Sequence, residues 1–186
     1  MTNFLTMEVQ QVILVDKNDV AEGFMEKMEA HKEAYLHRAF SIFIFNNKGE
    51  MLLQQRALNK YHSPGLWSNA CCSHPKPGEE TIDAATRRLK EELGMETELQ
   101  KQFHFIYKAE FENGLTEHEF DHVFTGVYNF TPQINKDEVK DICYTGMNEI
   151  KQSLQLHPQK FTVWFKISFP EIEKWWILNF KTTTIQ

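Results

Sequence analysis

Ser68-Asn69-Ala70-Cys71-Cys72-Ser73-His74-Pro75 joins a thiol, an imidazole and a tight proline-bearing turn, and a helix opens shortly after it. That helix is expected over Thr81–Leu93. It runs through Arg87-Arg88-Leu89-Lys90-Glu91-Glu92-Leu93 and has Gly94 as its C-terminal stop. Ile82, Ala85, Leu89 and Leu93 make its apolar stripe, with Arg88 and Glu92 one turn apart beside it. The two pieces bring a cysteine and a carboxylate-bearing helix to one site. A thiol beside an acidic helix that can hold metal points to proton transfer at carbon rather than plain hydrolysis.

Outward from that core, residues 9–16 read as a strand closing in an Asp16-Lys17-Asn18-Asp19 turn, and 39–45 as a buried strand. Asn46-Asn47-Lys48-Gly49 turns the chain into a strand over 50–56, a hairpin. Strands follow over 103–111 and 117–130. From residue 149 the pattern is mostly helical, broken into pieces by Pro158 and Pro170. Strands, a central helix, more strands and flanking helices predict a mixed α/β sandwich. No repeat or Gly/Ser linker interrupts it, so one domain over 1–186 is the expectation.

At 186 residues the chain is long enough for a full core, and its 15 Phe and 4 Trp predict an aromatic interior. A net charge of -6 argues against general nucleic-acid binding, while leaving room for a local basic pocket. Three Cys, two of them adjacent, are not a disulfide framework, which suits a reducing cytoplasm. The N-terminus lacks the pattern of a signal peptide, and no apolar run is long enough for a membrane span. A cytoplasmic monomer or weak dimer is expected.

His31, His37, His74, Glu117 and Glu119 stand out as metal ligands; Glu117 and Glu119, two apart on a strand, share a face. Three imidazoles and two carboxylates suit Mn²⁺, Zn²⁺ or Mg²⁺ with a position left open. Cys72 lies where a nearby cation or metal would lower its pKa and make it reactive, whereas Cys71 and Cys143 fit plain packing. Lys27, Arg56, Lys60 and Arg88 are the candidates to hold an anion, although each also reads as a solvated charge. Trp164 is core by default, or an aromatic wall against a cationic intermediate.

Taken in order, Leu36-His37-Arg38-Ala39-Phe40-Ser41, Gln55-Arg56-Ala57-Leu58-Asn59-Lys60, Pro64-Gly65-Leu66-Trp67 running on into Ser68–Pro75, the Arg87–Gly94 run and Glu117-His118-Glu119 form a specific set. With that set the chain resembles the type I isopentenyl-diphosphate Δ-isomerases of the Nudix superfamily, over residues 12–164. The resemblance implies a Nudix-type mixed β-sheet sandwiched between helices. The Nudix box departs from its pattern: Ser73 falls at the first Gly, and Arg88 at the Glu that follows Arg87. The hydrolases use that Glu to hold metal, so a cation there argues against hydrolysis.

The resemblance further implies His31, His37, His74, Glu117 and Glu119 as ligands of a divalent ion, Cys72 as the catalytic thiol and Glu119 as the catalytic carboxylate. Tyr107 matches a hydroxyl near the acid. Glu92 with the backbone carbonyl of Cys72 matches a Mg²⁺ site, and Lys27, Arg56, Lys60 and Arg88 match diphosphate-binding residues. The implied reaction interconverts isopentenyl and dimethylallyl diphosphate. Glu119 protonates the terminal carbon, Cys72 removes the allylic proton, and Trp164 faces the cation between. The alternatives are a Nudix pyrophosphohydrolase acting on a small diphosphate and a non-catalytic binding protein on the same fold.

Overall fold

The structure, a computed structural model, describes residues 10–181. Val9, the N-terminal stretch read for a signal peptide, and the last part of the helical tail lie outside the described residues. In chain order the elements are β1 (Gln11–Val15), β2 (Ala21–Glu26), α1 (Lys27–Glu33), β3 (His37–Phe45) and β4 (Met51–Arg56). Then come β5 (Trp67–Ser68), β6 (Cys71–Ser73), α2 (Thr81–Leu93), β7 (Gln100–Glu110) and β8 (Thr116–Val127). β9 (Val139–Thr145), α3 (Met147–Leu156) and α4 (Val163–Trp176) complete the fold.

The sheet is built around β3. Along one side β8 runs parallel to it, from His37 opposite Glu119 to Phe45 opposite Val127. On the other side β3 meets three partners in turn: β1 at His37, β6 at Phe40–Ile42, and β4 only at Phe45 opposite Met51. The expected β3–β4 hairpin therefore closes at its turn and then splays. Asn46 Oδ1 accepts from the Lys48 and Glu50 amides, which shapes the turn, and β4 departs to pair with β5 and β9. The cleft this opens positions the site.

Strand alternation sorts the side chains into two layers. Phe40, Ile42, Ile44, Leu52 and Phe124 pack under Ala84, Ala85, Leu89 and Leu93 of α2. Phe43, Phe45, Leu53 and Val123 pack against Ile150 of α3 and Trp164, Phe165, Phe169 and Ile172 of α4. This is the expected mixed sheet between helices. α2 ends where expected: Gly94 adopts φ +63° and its N–H reaches the Lys90 carbonyl.

Two expectations change. Ile82 is 38% exposed, and Ala84 takes its place in the buried stripe. Periodicity gives the angle around a helix, not how far the facing layer extends. Pro170 does not break the C-terminal helix but lies inside α4. An interior proline costs about 3 kcal/mol; Phe165, Phe169 and Ile172 bury on both sides of it and hold the helix together. Pro158 opens a short 3₁₀ turn, as a helix-breaking residue should.

Candidate active site

A cavity of about 750 Å³ opens among β3, β4, β6, β8, α2 and α4. Register decides which side chains reach it. Tyr107 of β7 and His37 of β3 lie directly across from Glu119 on its two flanking strands, so the three share one row on one face. Glu117 and Asp121 flank Glu119 on that face by the period-two rule. Cys72 pairs with Ser41 and so faces the cavity; Cys71 pairs with Ile42 and points into the α2 layer.

His31, His37, His74 and Glu119 each offer a ligand atom, all within 4.8 Å of one another. His37 Nε2 lies 3.2 Å from His74 Nε2, and Glu119 Oε1 lies 3.0 Å from His74 Nε2 and 3.6 Å from His37 Nε2. Donor–metal bonds of about 2.1 Å set neighbouring donors about 3–3.4 Å apart, so these spacings suit one shared ion. The outer ring nitrogens are already committed. His31 Nδ1 donates to the Lys27 carbonyl at 2.6 Å and His37 Nδ1 to the Tyr35 carbonyl at 2.8 Å. Each inner Nε2 is left with a lone pair toward the cluster. His31 Nε2 is buried without a protein partner, an orphan acceptor that a cation would satisfy. Burial lowers His31 and brings His74 down to about 3, which keeps the imidazoles neutral as ligands must be.

Glu117, the fifth expected ligand, stands beside this group rather than in it. His62 Nε2 holds its Oε1 at 3.2 Å, and the Tyr107 hydroxyl lies 2.9 Å from its Oε2. That hydroxyl is also 2.8 Å from Glu119 Oε2, yet it has one hydrogen to give. Burial, followed by the charge of Glu119, holds Glu117 well above the usual carboxylate range. Of the two carboxylates Glu117 is thus the one more readily protonated, and only as an acid could it return a hydrogen to Tyr107 while the hydroxyl donates to Glu119. For Glu119, burial opposes ionisation, but the closeness of the His37 and His74 rings outweighs it and holds the carboxyl well below its ordinary value.

Cys72 departs from expectation in one respect. Burial and the Asp121 carboxyl push its thiol up, not down, and among the described residues no cationic side chain bonds the sulfur to offset them. Its partners are Asn69 Oδ1 at 3.1 Å and Ser41 Oγ at 3.4 Å.

The four expected cations all line the cavity. Lys27 Nζ stands 5.0 Å over the Tyr61 ring, and Arg56 stands 5.2 Å over Trp164 while donating to the Ser63 and His62 carbonyls. Arg88 bonds Glu92 at 2.5 Å and Glu138 at 3.2 Å, and Lys60 is also paired to Glu138. Trp164 is both core and wall: it is 3% exposed in the layer under α3 and α4, and it lines the cavity.

Residues 35–165 match the NUDIX domain family. The chain is 51% identical to the isopentenyl-diphosphate Delta-isomerase of Pectobacterium atrosepticum, over 91% of this chain and 95% of that one. This chain belongs to the isopentenyl-diphosphate Delta-isomerase family. An isomerase of that name from Serratia proteamaculans is 45% identical over 89% of this chain and 96% of its own length. Among solved structures, the Delta-isomerase-family chain shares its fold with a Deinococcus radiodurans protein at TM-score 0.67 and 17% identity, covering 80% of this chain and 90% of that one. A MutT protein of Methanosarcina mazei follows at TM-score 0.60 and 18% identity, over 75% and 94% of the two chains. Sequence reasoning misses Ser41, His62 and Glu138, which line this isomerase-family cavity, and Asn69 and Asp121, which touch its lining residues Cys72 and Ser41 from behind. Period-two alternation from Glu117 and Glu119 could have flagged Asp121. Nothing local marks His62 or Glu138, which arrive from loops.

Proposed function

We propose that this protein interconverts isopentenyl diphosphate and dimethylallyl diphosphate by moving a proton onto one end of the allylic system and off the other. The carrying observation is that a single cavity is lined by Cys72, Glu119 and the cations Lys27, Arg56, Lys60 and Arg88. Shifting a double bond needs two proton-transfer groups at one substrate, and a diphosphate needs an anion clamp. Glu119 and Cys72 are the acid/base pair, exchanging roles between the two directions. Glu119 is oriented by Tyr107, which Glu117 and His62 support in turn. The buried aromatic wall around Trp164 excludes water that would quench a carbocation.

A divalent ion held by His31, His37, His74 and Glu119 would supply the positive charge that fixes Glu119 and tunes its proton affinity. Mn²⁺ or Zn²⁺ fits that mixed nitrogen and oxygen set, and Glu92 with the Cys72 carbonyl is the reading for Mg²⁺ near the diphosphate. The whole of residues 1–186 is read as one such domain, a monomer or weak dimer working in the cytoplasm. Its three free thiols support that compartment. Among the described residues no helix is long and apolar enough to cross a membrane.

The test is incubation with isopentenyl diphosphate and divalent metal in deuterated water, followed by NMR. Dimethylallyl diphosphate carrying deuterium is the expected product. Release of phosphate or pyrophosphate would instead favour the hydrolase reading, which Arg88 in place of the Nudix glutamate opposes.

A further inference from the structure

Asp121 is 1% exposed on the cavity face of β8, and Ser41, also 1% exposed, lies between it and Cys72. Ser41 Oγ donates to Asp121 Oδ2 at 2.7 Å. A hydroxyl has one hydrogen, so Ser41 turns only lone pairs toward Cys72 Sγ, 3.4 Å away. The other neighbour of that sulfur is Asn69 Oδ1, at 3.1 Å. Asn69 cannot turn its amide to present N–H, because Nδ2 is tied to the Ile42 carbonyl at 3.1 Å and the Cys71 carbonyl at 3.0 Å. Two fixed acceptors therefore bracket the thiol. Asn69 is locked by backbone. Among the described residues Ser41 is locked only by Asp121; without that acceptor its hydroxyl is free to rotate and donate to the sulfur, reversing the polarity of the contact.

We propose that Asp121 is a positioning residue for proton transfer by Cys72: it orients the Ser41 hydroxyl, and through it the direction in which the thiol presents its hydrogen and lone pairs to the substrate. This rests on Cys72 being one of the two proton-transfer groups. When Cys72 takes a proton from carbon, the C–H pair enters the new double bond and the S–H formed meets an acceptor already aimed at it. In the opposite direction the same bond breaks toward carbon. Neither step changes the Ser41–Asp121 bond.

The experiment measures kcat and KM for isopentenyl diphosphate in Ser41→Ala, Asp121→Leu, Asp121→Asn and the Ser41→Ala/Asp121→Leu double variant, with Cys72→Ala alongside. Losing one oriented hydrogen bond predicts about a tenfold fall in kcat for Ser41→Ala, with KM within about twofold. Asp121→Leu falls as far, whereas Asp121→Asn, which keeps an acceptor for Ser41, recovers most of the loss. The double variant is no slower than Ser41→Ala, because Asp121 acts through Ser41. Multiplying losses in the double variant, Asn no better than Leu, or a wild-type kcat in Ser41→Ala each overturn the proposal. If Asp121→Leu does not fold, Ser41→Ala and Asp121→Asn still decide it. Full turnover by Cys72→Ala would instead overturn the role of Cys72 itself.

Discussion

Cys71 and Cys72 are consecutive residues that face opposite sides of β6. Cys71 sits opposite Ile42 and is wholly buried in the α2 layer; Cys72 sits opposite Ser41 and lines the cavity. Cys72→Ala should abolish isomerisation, by at least about 10²–10⁴-fold, the usual contribution of a positioned proton-transfer group. Cys71→Ala should keep kcat within about twofold while lowering stability by about 1 kcal/mol. Deuterium incorporation and thermal melting separate the two effects. A large activity loss in a folded Cys71→Ala protein would mean that the wrong thiol had been assigned.

Glu119→Gln should eliminate turnover without unfolding the protein, because glutamine still fills the space between Tyr107 and the imidazoles. Tyr107→Phe removes the hydroxyl that joins Glu117 and Glu119. A hydrogen bond to a charged group contributes about 1.5–3 kcal/mol, so kcat should fall about 10–100-fold. Steady-state kinetics check both, and near wild-type rates in either variant would remove that residue from the mechanism.

Stripping metal should inactivate the protein, and Mn²⁺, Zn²⁺ or Mg²⁺ should restore it. His31→Ala should weaken metal binding in calorimetry, since it deletes the orphan Nε2 that faces the cluster. Full activity in protein shown by elemental analysis to be metal-free would refute the metal centre.

Arg88→Glu restores the Nudix residue at that position, yet should destroy isomerisation without creating an efficient hydrolase. Arg88 neutralises Glu92 and Glu138, so reversal sets three carboxylates together against a diphosphate. Affinity for a substrate analogue should fall at least about tenfold, the loss of one charge-assisted contact. Unchanged calorimetric affinity would make Arg88 a structural charge only.

Burial brings Lys60 down to about 8, with the nearby Arg56, Arg88 and Lys27 adding to the drop against the pull of Glu92. Burial disfavours the charged form, so Lys60 is cationic below that pH and neutral above it. In consequence kcat/KM, which reports the free enzyme, should decline as pH rises through 8. Lys60→Arg should push that decline to higher pH. A limb unmoved by this change would assign it to another group.

Local patterns were enough to read much of the frame. α2 is bounded by its own periodicity and by Gly94, and β3 and β4 by apolar runs about the Asn46–Gly49 turn. β2, α1, β9 and the short β5 and β6 escaped notice. Charged and polar residues dominate α1, and β2 has a glycine at its third position and no β-branched residue, so their stability comes from pairing and packing rather than pattern. β9, with Lys140, Asp141 and Thr145, is a strand because β4 supplies its ladder.

The sequence by itself determined the layers and the inventory of chemistry: that the long strands and helices with a clear apolar period form, that thiol, imidazoles, carboxylates and cations are present, and that Arg88 replaces the hydrolase glutamate. Those are matters of composition, order and short-range period. Only the tertiary structure decided how the inventory is shared out. It turned Cys72 to the cavity and Cys71 to the α2 layer through the register of β6 on β3, and it seated Glu119 in the His cluster while His62 drew Glu117 aside. It also put Asp121 behind Ser41 and the sulfur. Each of these choices depends on pairing between residues far apart in the chain. A shift of one residue in strand register turns every side chain to the other face, and no local pattern carries that information.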